Sequence, residues 1–569
     1  MNKRALWTLL VVLGLGVVAG VSGCKRKAEP GGGGGTGAGT AGGSAPIATP
    51  LELRIAYGSE KKAWLEEQIA AFNGSGARTA GGAPIRVVGT ASGSGEAMTA
   101  ILDGNSQPHV FSPASGAYLA LLNQAWLSRD NHTKALAPAG EPIVLSPIVI
   151  AMWKPMAEAL GWPGKELGWA DLVKLAKDPR GWASHDRPEW GSFKLGHTHP
   201  EFSNSGLLAV LAAAYAATGK TTGLSAADLD APATAAFLAE VEDSIVHYGK
   251  STSLFTDKMV ERGPTYLSAA VTYENLVVEA SGKADPPLVA IYPVEGTFWS
   301  DHPYAILDAP WVGADERAAA QAFLAFLKAR PAQERALALG FRPADPAIHM
   351  AAPIDAAHGV DPQQPQTLLT VPDGATLDKL IATWRTTKKA SAVTLVFDKS
   401  GSMEGRPLAE AKAGAKEFLA TLDDRDQVSL VFFDDTVYPP IGPLPLGAAR
   451  ASLGARIDGA VAAGGTSLYD AVSAAHAVMR ADLKKNPHRI HALVVMTDGK
   501  DESSSKSLDQ VVRQVTVEGE AAVSVFTIAY GDQASDDILK QLAEKSRGTF
   551  ARGSVADIRA VFRDIGTFF

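Results

Sequence analysis

Apolar residues in this chain come in short runs that end in clusters of serine, glycine and aspartate. The run Leu51-Glu52-Leu53-Arg54-Ile55-Ala56-Tyr57 has strand character and empties into Gly58-Ser59-Glu60, ahead of a helix from Lys61 to Phe72. Ile85 to Gly89 repeats the pattern with Thr90-Ala91-Ser92-Gly93-Ser94-Gly95 and a helix from Glu96 to Leu102. His109-Val110-Phe111 does so a third time, ahead of Ser112-Pro113-Ala114-Ser115-Gly116. Such loops aim backbone N–H groups and hydroxyls into one crevice, where an anion or small polar solute can sit on helix N-termini.

Pro142 to Met152 reads as a strand crossing into a second lobe, where Ser203-Asn204-Ser205 opens an apolar helix from Leu207 to Ala217. Ser59, Ser92, Ser94, Ser115, Ser203, Asn204, Ser205 and Tyr273 are therefore the candidate solute ligands. The alternative for each serine is helix capping, a routine use of that side chain. His185, His197 and His199 have no carboxylate placed by spacing, so zinc is not expected there. Trp153, Trp162, Trp169 and Trp182 are assigned to packing.

The second half has the same grammar with a different chemistry. Ala392-Val393-Thr394-Leu395-Val396-Phe397 reads as a buried parallel strand emptying into Asp398-Lys399-Ser400-Gly401-Ser402. The strand His491 to Met496 empties into Thr497-Asp498-Gly499, and Gly464-Gly465 presents Thr466 ahead of a helix. Ligands of open α/β sheets lie outside the carboxyl ends of the strands. Carboxylates and hydroxyls without Cys or His suit Mg²⁺ or Mn²⁺. Asp501 and Glu502 read as solvated charges, with the rim of this cluster as the alternative. Further strands are expected over Asp426–Phe433 and Ala521–Tyr530, a helix end at Val461–Ala463, and a closing helix over Ala556–Phe569. Pro346 to Pro372 reads as a linker, followed by a short helix over Thr376–Thr386 that packs across the join.

Composition narrows the function classes. The net charge of −8 over 569 residues argues against nucleic acid as a partner. The one cysteine excludes an intrachain disulfide and a thiolate zinc cluster. Lys3 and Arg4 precede the apolar run Ala5 to Val21 and then Ser22-Gly23-Cys24, the pattern of an export signal; the alternative is a spanning anchor. The Gly-rich stretch up to residue 50 is a tether. With no Gly-x-Ser-x-Gly elbow, phosphate-binding Gly-rich loop or His-Glu-x-x-His pair, a binding protein is expected rather than an enzyme.

Three family resemblances follow from these motifs. Val21-Ser22-Gly23-Cys24 resembles the bacterial lipobox, which implies cleavage before Cys24, lipid on its sulfur and a place in the cell envelope. Residues 51–345 resemble the type II extracellular solute-binding proteins, which implies two α/β lobes closing on a solute, as in the receptor of an ABC-type transporter. Residues 391–569 resemble a von Willebrand factor A domain, which implies a doubly wound, Rossmann-like sheet. That resemblance also implies that Asp398, Ser400, Ser402, Thr466 and Asp498 hold a metal, and that the metal takes an Asp or Glu carboxylate from a protein partner. The expected organisation is thus a signal (1–23), a tether (24–50), a two-lobed periplasmic-binding-protein-like domain, a linker (346–390) and a factor A domain.

Overall fold

The computed structural model describes residues 49–569 except 130–131, 518–521 and 532. The export signal, Cys24 and nearly all of the tether lie outside the described residues.

Alternation in the first strand puts Leu53, Ile55 and Tyr57 on one buried face, where they meet Trp64 and Phe72 of the following helix. Leu51–Gly58 is flanked by the parallel strands Ile85–Ser92 and Val110–Ser112. Pro303–Ile306 adds antiparallel beside Val110–Ser112 and carries Glu141–Pro142 at its other edge. These five strands are the first lobe.

Val144–Trp153 then runs into a second sheet, pairing with Ala269–Tyr273, Leu288–Ile291, Trp299–Ser300 and Arg342–Pro343. Leu195–Thr198 and Ile245–Gly249 complete that sheet, with Ile245–Gly249 at the edge. Trp153, Trp169 and Trp182 are fully buried in this lobe, as packing requires. The chain crosses between the sheets at Ile143 and at Asp301-His302, and crosses a third time to return to the second sheet at Arg342–Pro343.

The C-terminal domain is a six-stranded sheet in the order Ile441–Pro445, Gln427–Phe433, Ser391–Asp398, Ile490–Thr497, Ser524–Tyr530, Phe550–Gly553. All strands are parallel except the first, an antiparallel edge. All eight residues of Ser391–Asp398 are buried, which accounts for its unbroken apolar run. One expectation fails here: the helix Leu446–Asp458 has ended before Val461–Ala463, which lie in the loop leading to Gly464. Gly464 takes a left-handed φ of 69°, and the amide of Ala463 is bonded to the Lys399 carbonyl at 2.9 Å, so tertiary contacts override the helix propensity of the alanines. Between the domains, Gly374–Thr387 is a helix with Leu377, Leu380 and Trp384 wholly buried. No helix among the described residues is long and apolar enough to cross a membrane.

Candidate metal centre and solute crevice

The five metal candidates meet at the carboxyl ends of the two central strands of the C-terminal sheet. Asp398, the last residue of its strand, is fully buried. Its carboxylate accepts the amide of Ser400 at 2.8 Å on Oδ1 and the hydroxyl of Thr497 on Oδ2. The hydroxyls of Ser400 and Ser402 are 3.1 Å apart, and Ser402 donates to Asp498 Oδ1 at 2.7 Å. Thr466 arrives on the Gly464-Gly465 loop, which is tied in by the amide of Gly401 donating to the Gly464 carbonyl at 3.0 Å. A Cβ on Gly499 would stand 3.0 Å from Thr466 Oγ1, so glycine there lets the two loops close up. An open cleft of about 570 Å³ lies over Ser400, Ser402, Thr466 and Gly499, rimmed by Lys500 and Glu502.

Burial pushes the Asp398 carboxyl up to about 6, with the neighbouring Asp498 adding to it against the hydrogen bonds from Thr497 and Ser400. Burial raises the Asp498 carboxyl as well. Two desolvated acids side by side, with hydroxyls between them and no nitrogen or sulfur donor, are the donor set a hard divalent cation neutralises. The residues therefore fit Mg²⁺ or Mn²⁺. Among the described residues no group of three or more His, Cys, Asp or Glu gathers for a metal.

Sequence reasoning missed the contacts made by three neighbours of the centre. Thr497 ends the strand before Asp498 and is wholly buried on Asp398. Asp501 is not a free solvated charge: its carboxylate accepts the amide of Tyr469 at 3.0 Å and the hydroxyl of Ser504, tying the 501–504 loop to the start of the helix Leu468–Lys485. Lys399 pairs with Asp434 and lies 4.3 Å from the centroid of the Tyr438 ring, which neutralises its charge beside the centre.

Of the solute candidates, Ser115, Asn204 and Tyr273 bond one another, and the others bond neighbouring groups of the two lobes. Ser115 donates to Asn204 Oδ1 at 2.6 Å, and Asn204 Nδ2 donates to the Tyr273 hydroxyl at 3.1 Å. Ser203 and Ser205 meet Thr252 at 3.2 and 2.7 Å. Ser94 accepts the amide of Ala114 at 3.1 Å, and Ser59 accepts the hydroxyl of Ser253 at 3.3 Å. Ser92 bonds only the neighbouring Gly93 carbonyl, at 3.4 Å, and lies at the margin. The amides of Gly95 and Glu96, which the second loop was expected to offer to an anion, are directed instead at the Phe202 carbonyl of the other lobe, at 3.0 and 3.4 Å. A Cβ on Gly95 would lie 1.9 Å from the Glu201 carbonyl oxygen, so only glycine permits this approach.

Lys61, unnoticed in the sequence, is fully buried where the lobes meet. Its ammonium donates to Glu60 at 2.8 Å and to the Pro113 carbonyl at 3.3 Å. Burial opposes ionisation of Glu60, but Lys61 and His302 outweigh it and hold the carboxyl at about 2. Burial depresses both Lys61 and His302. The buried hydroxyls of Ser112 and Ser251 and the His302 ring make no well-formed hydrogen bond, although His302 Nδ1 is 3.2 Å from Glu60 Oε1. His197 binds Glu242, His199 packs on Trp384, and His185 lies against Trp182, so the three histidines serve separate contacts.

Residues 53–342 match the model of the bacterial extracellular solute-binding proteins, and residues 392–564 match that of the von Willebrand factor type A domain. Among curated relatives, an uncharacterized protein of Synechocystis, sll0103, is 28% identical over 159 residues, covering 28% of this chain and 36% of its own length. The uncharacterized protein Rv1836c of Mycobacterium tuberculosis is 26% identical over 308 residues, covering 52% of this chain and 41% of its own length. The chain thus spans about two fifths of the length of these relatives. Among solved structures, the periplasmic binding protein AfuA of Actinobacillus pleuropneumoniae, with fructose-6-phosphate bound, aligns over 59% of this chain and 98% of its own at 15% identity and a TM-score of 0.40.

Proposed function

The chain belongs to the bacterial extracellular solute-binding protein family and carries a von Willebrand factor A domain behind it, and from that premise we propose an extracytoplasmic binding protein, lipid-anchored in the cell envelope through Cys24, that captures a protein partner at its metal centre. The observation that carries this reading is the hydrogen-bonded run Asp398–Ser400–Ser402–Asp498 under an open cleft, with Thr466 on its far wall. These five residues would hold Mg²⁺ or Mn²⁺, and a bound ion would supply a Lewis-acidic docking point for a carboxylate from the partner. Asp398 and Asp498 provide the counter-charge, Ser400, Ser402 and Thr466 the neutral oxygens. Thr497 keeps the Asp398 carboxylate oriented. The two lobes supply a second binding function toward a small solute. Because Lys61 is neutralised by Glu60 and the Gly95 and Glu96 amides are spent, a neutral polar solute suits the crevice better than an anion.

The test is calorimetric titration with Mg²⁺ and Mn²⁺, beside capture of envelope proteins in Mg²⁺ or EDTA. The expected outcome is saturable metal binding and a partner held only in the presence of metal. Asp398→Ala should lose both, at least about 100-fold in metal affinity, since it removes one of two anionic ligands. Equal capture by wild type and variant with and without metal would overturn the reading. A second reading, the receptor of an ABC-type transporter, is supported by the two-lobed half alone and leaves the metal centre without a task.

A further inference from the structure

The helix Gly374–Thr387 is the hub of contacts that tie the two lobes and the C-terminal domain together. It packs against the helix Gly116–Leu127 of the first lobe and against Asn204–Thr218, Ala226–Asp230 and Pro232–Asp243 of the second. Gly374 comes so close to the first lobe that a Cβ would lie 3.1 Å from the Ala120 carbonyl oxygen. At the other end, Trp384 is wedged against the rings of His199 and Tyr248 in the second lobe, at 4.8 and 5.4 Å between centroids. Arg385 makes a two-pronged ion pair with Glu201, at 2.6 and 2.7 Å.

The C-terminal domain holds this helix from outside. Arg425 donates to the carbonyls of Arg385, Thr386 and Lys388, three of the groups a helix leaves unsatisfied where it ends. Lys388 donates to the Phe569 carbonyl at 2.9 Å. The same domain grips the second lobe directly: the Tyr248 amide donates to Phe568 at 3.3 Å, and Arg262 donates to the carbonyls of Arg547 and Gly548. Lys250 joins all three bodies. From the second lobe it reaches Glu96 of the first at 3.0 Å and Asp564 of the C-terminal domain at 2.8 Å.

We infer that the C-terminal domain is a latch on the hinge of the solute-binding domain: the lobes part only when the helix Gly374–Thr387 shears away from one of them. The argument is geometric. A hinge motion that separates Gly95 from Phe202 moves the first lobe relative to the second, and the helix has buried contacts to both. The motion must break either the Gly374 contact or the Trp384 and Arg385 contacts, together with the Lys250–Glu96 pair. Linkage makes the effect reciprocal: a solute that favours the closed lobes tightens the C-terminal domain onto them, and a partner that pulls that domain away favours opening.

The test is the distance between spin labels on cysteines placed at exposed Glu66 in the first lobe and Lys174 in the second, in the full chain with Cys24 replaced and no solute added. The wild-type background should give one closed distance. Arg385→Ala with Arg425→Ala removes two exposed side chains that anchor the helix end, and should add a second, longer distance. Lys250→Gln, which releases the three-way contact without touching the helix, should do the same to a smaller extent. Circular dichroism melts confirm that the variants are folded before distances are compared. An identical single distance in all three proteins would overturn the latch, as would a wild type that already shows both distances.

Discussion

The two halves of this molecule both place serine and threonine hydroxyls at strand ends, and they put them to opposite uses. At the proposed metal centre the hydroxyls stand between two acids and border an open cleft. In the crevice the hydroxyls face a second lobe and are satisfied across it, as Ser115 is by Asn204 and Ser59 by Ser253. The acids follow suit. Burial and the neighbouring Asp498 raise the Asp398 carboxyl, whereas Glu60 is held ionised by Lys61. What a strand-end hydroxyl does is thus decided by the surface opposite it. The most direct way to break the comparison is to strip the crevice of its own cation. Lys61→Ala should cost about 3–5 kcal/mol, because it leaves Glu60 buried without a counter-charge. Chemical denaturation should show that loss, and the double change Glu60→Leu with Lys61→Met should recover most of it. If Lys61→Ala alone were neutral, the crevice would have to be wetter and more open than its geometry indicates.

The same contrast explains what could be read from sequence. The cluster proposed to hold a metal was legible as a cluster because it stands at the ends of strands that announce themselves: an apolar run, then Asp398, Ser400 and Ser402 in alternation. The support around it was less legible. Thr497 was read as the start of a loop with no task of its own, and Asp501 as a solvated charge, because their partners Asp398 and Tyr469 are 99 and 32 residues away. Val461 was read into a helix because alanine-rich sequence favours one, while the bond from Ala463 to Lys399 is set by the sheet. Closure of the crevice was beyond reach for the same reason. Nothing local to Gly95 tells that Phe202 will stand on it, and an amide free to bind an anion reads the same as one that will meet a carbonyl.

The next comparison sharpens the difference in pH. A carboxyl raised by folding favours the native state while it is protonated. In EDTA, Asp398 therefore contributes stability that is complete below about pH 4 and is lost as the pH rises through about 6. The shift of about two pKa units corresponds to about 3 kcal/mol. Glu60 has the opposite sign: its depressed pKa contributes stability above its ordinary value of 4.5 that disappears as the pH falls toward 2. Denaturation at a series of pH values should show Asp398→Asn flattening the slope between pH 4 and 6, and Glu60→Gln flattening the acid limb. Saturating Mg²⁺ should offset the loss above pH 6 in the wild type alone. If Asp398→Asn left the slope unchanged, desolvation of that carboxyl would not be its source.

The smallest effect separates holding the metal from holding the loop. Asp501 touches neither Asp398 nor Asp498; it accepts the Tyr469 amide at the start of the helix that follows Thr466, and the Ser504 hydroxyl fixes its orientation. Replacing a helix-start acceptor by alanine costs about 1 kcal/mol in general. Asp501→Ala should lower stability by about that amount, and its effect on metal affinity should come only through Thr466, whose carbonyl accepts the amides of Glu502 and Ser503 at 2.9 and 3.1 Å. Asp501→Asn keeps an acceptor oxygen and should restore the affinity along with most of the stability. A ligand would behave differently: losing its charge would cost affinity in the asparagine variant as much as in the alanine one. Calorimetric titration of the two variants with Mg²⁺ therefore decides whether the acidic loop after Asp498 braces the metal centre or belongs to it, and the hydrogen bond to Tyr469 predicts that it braces.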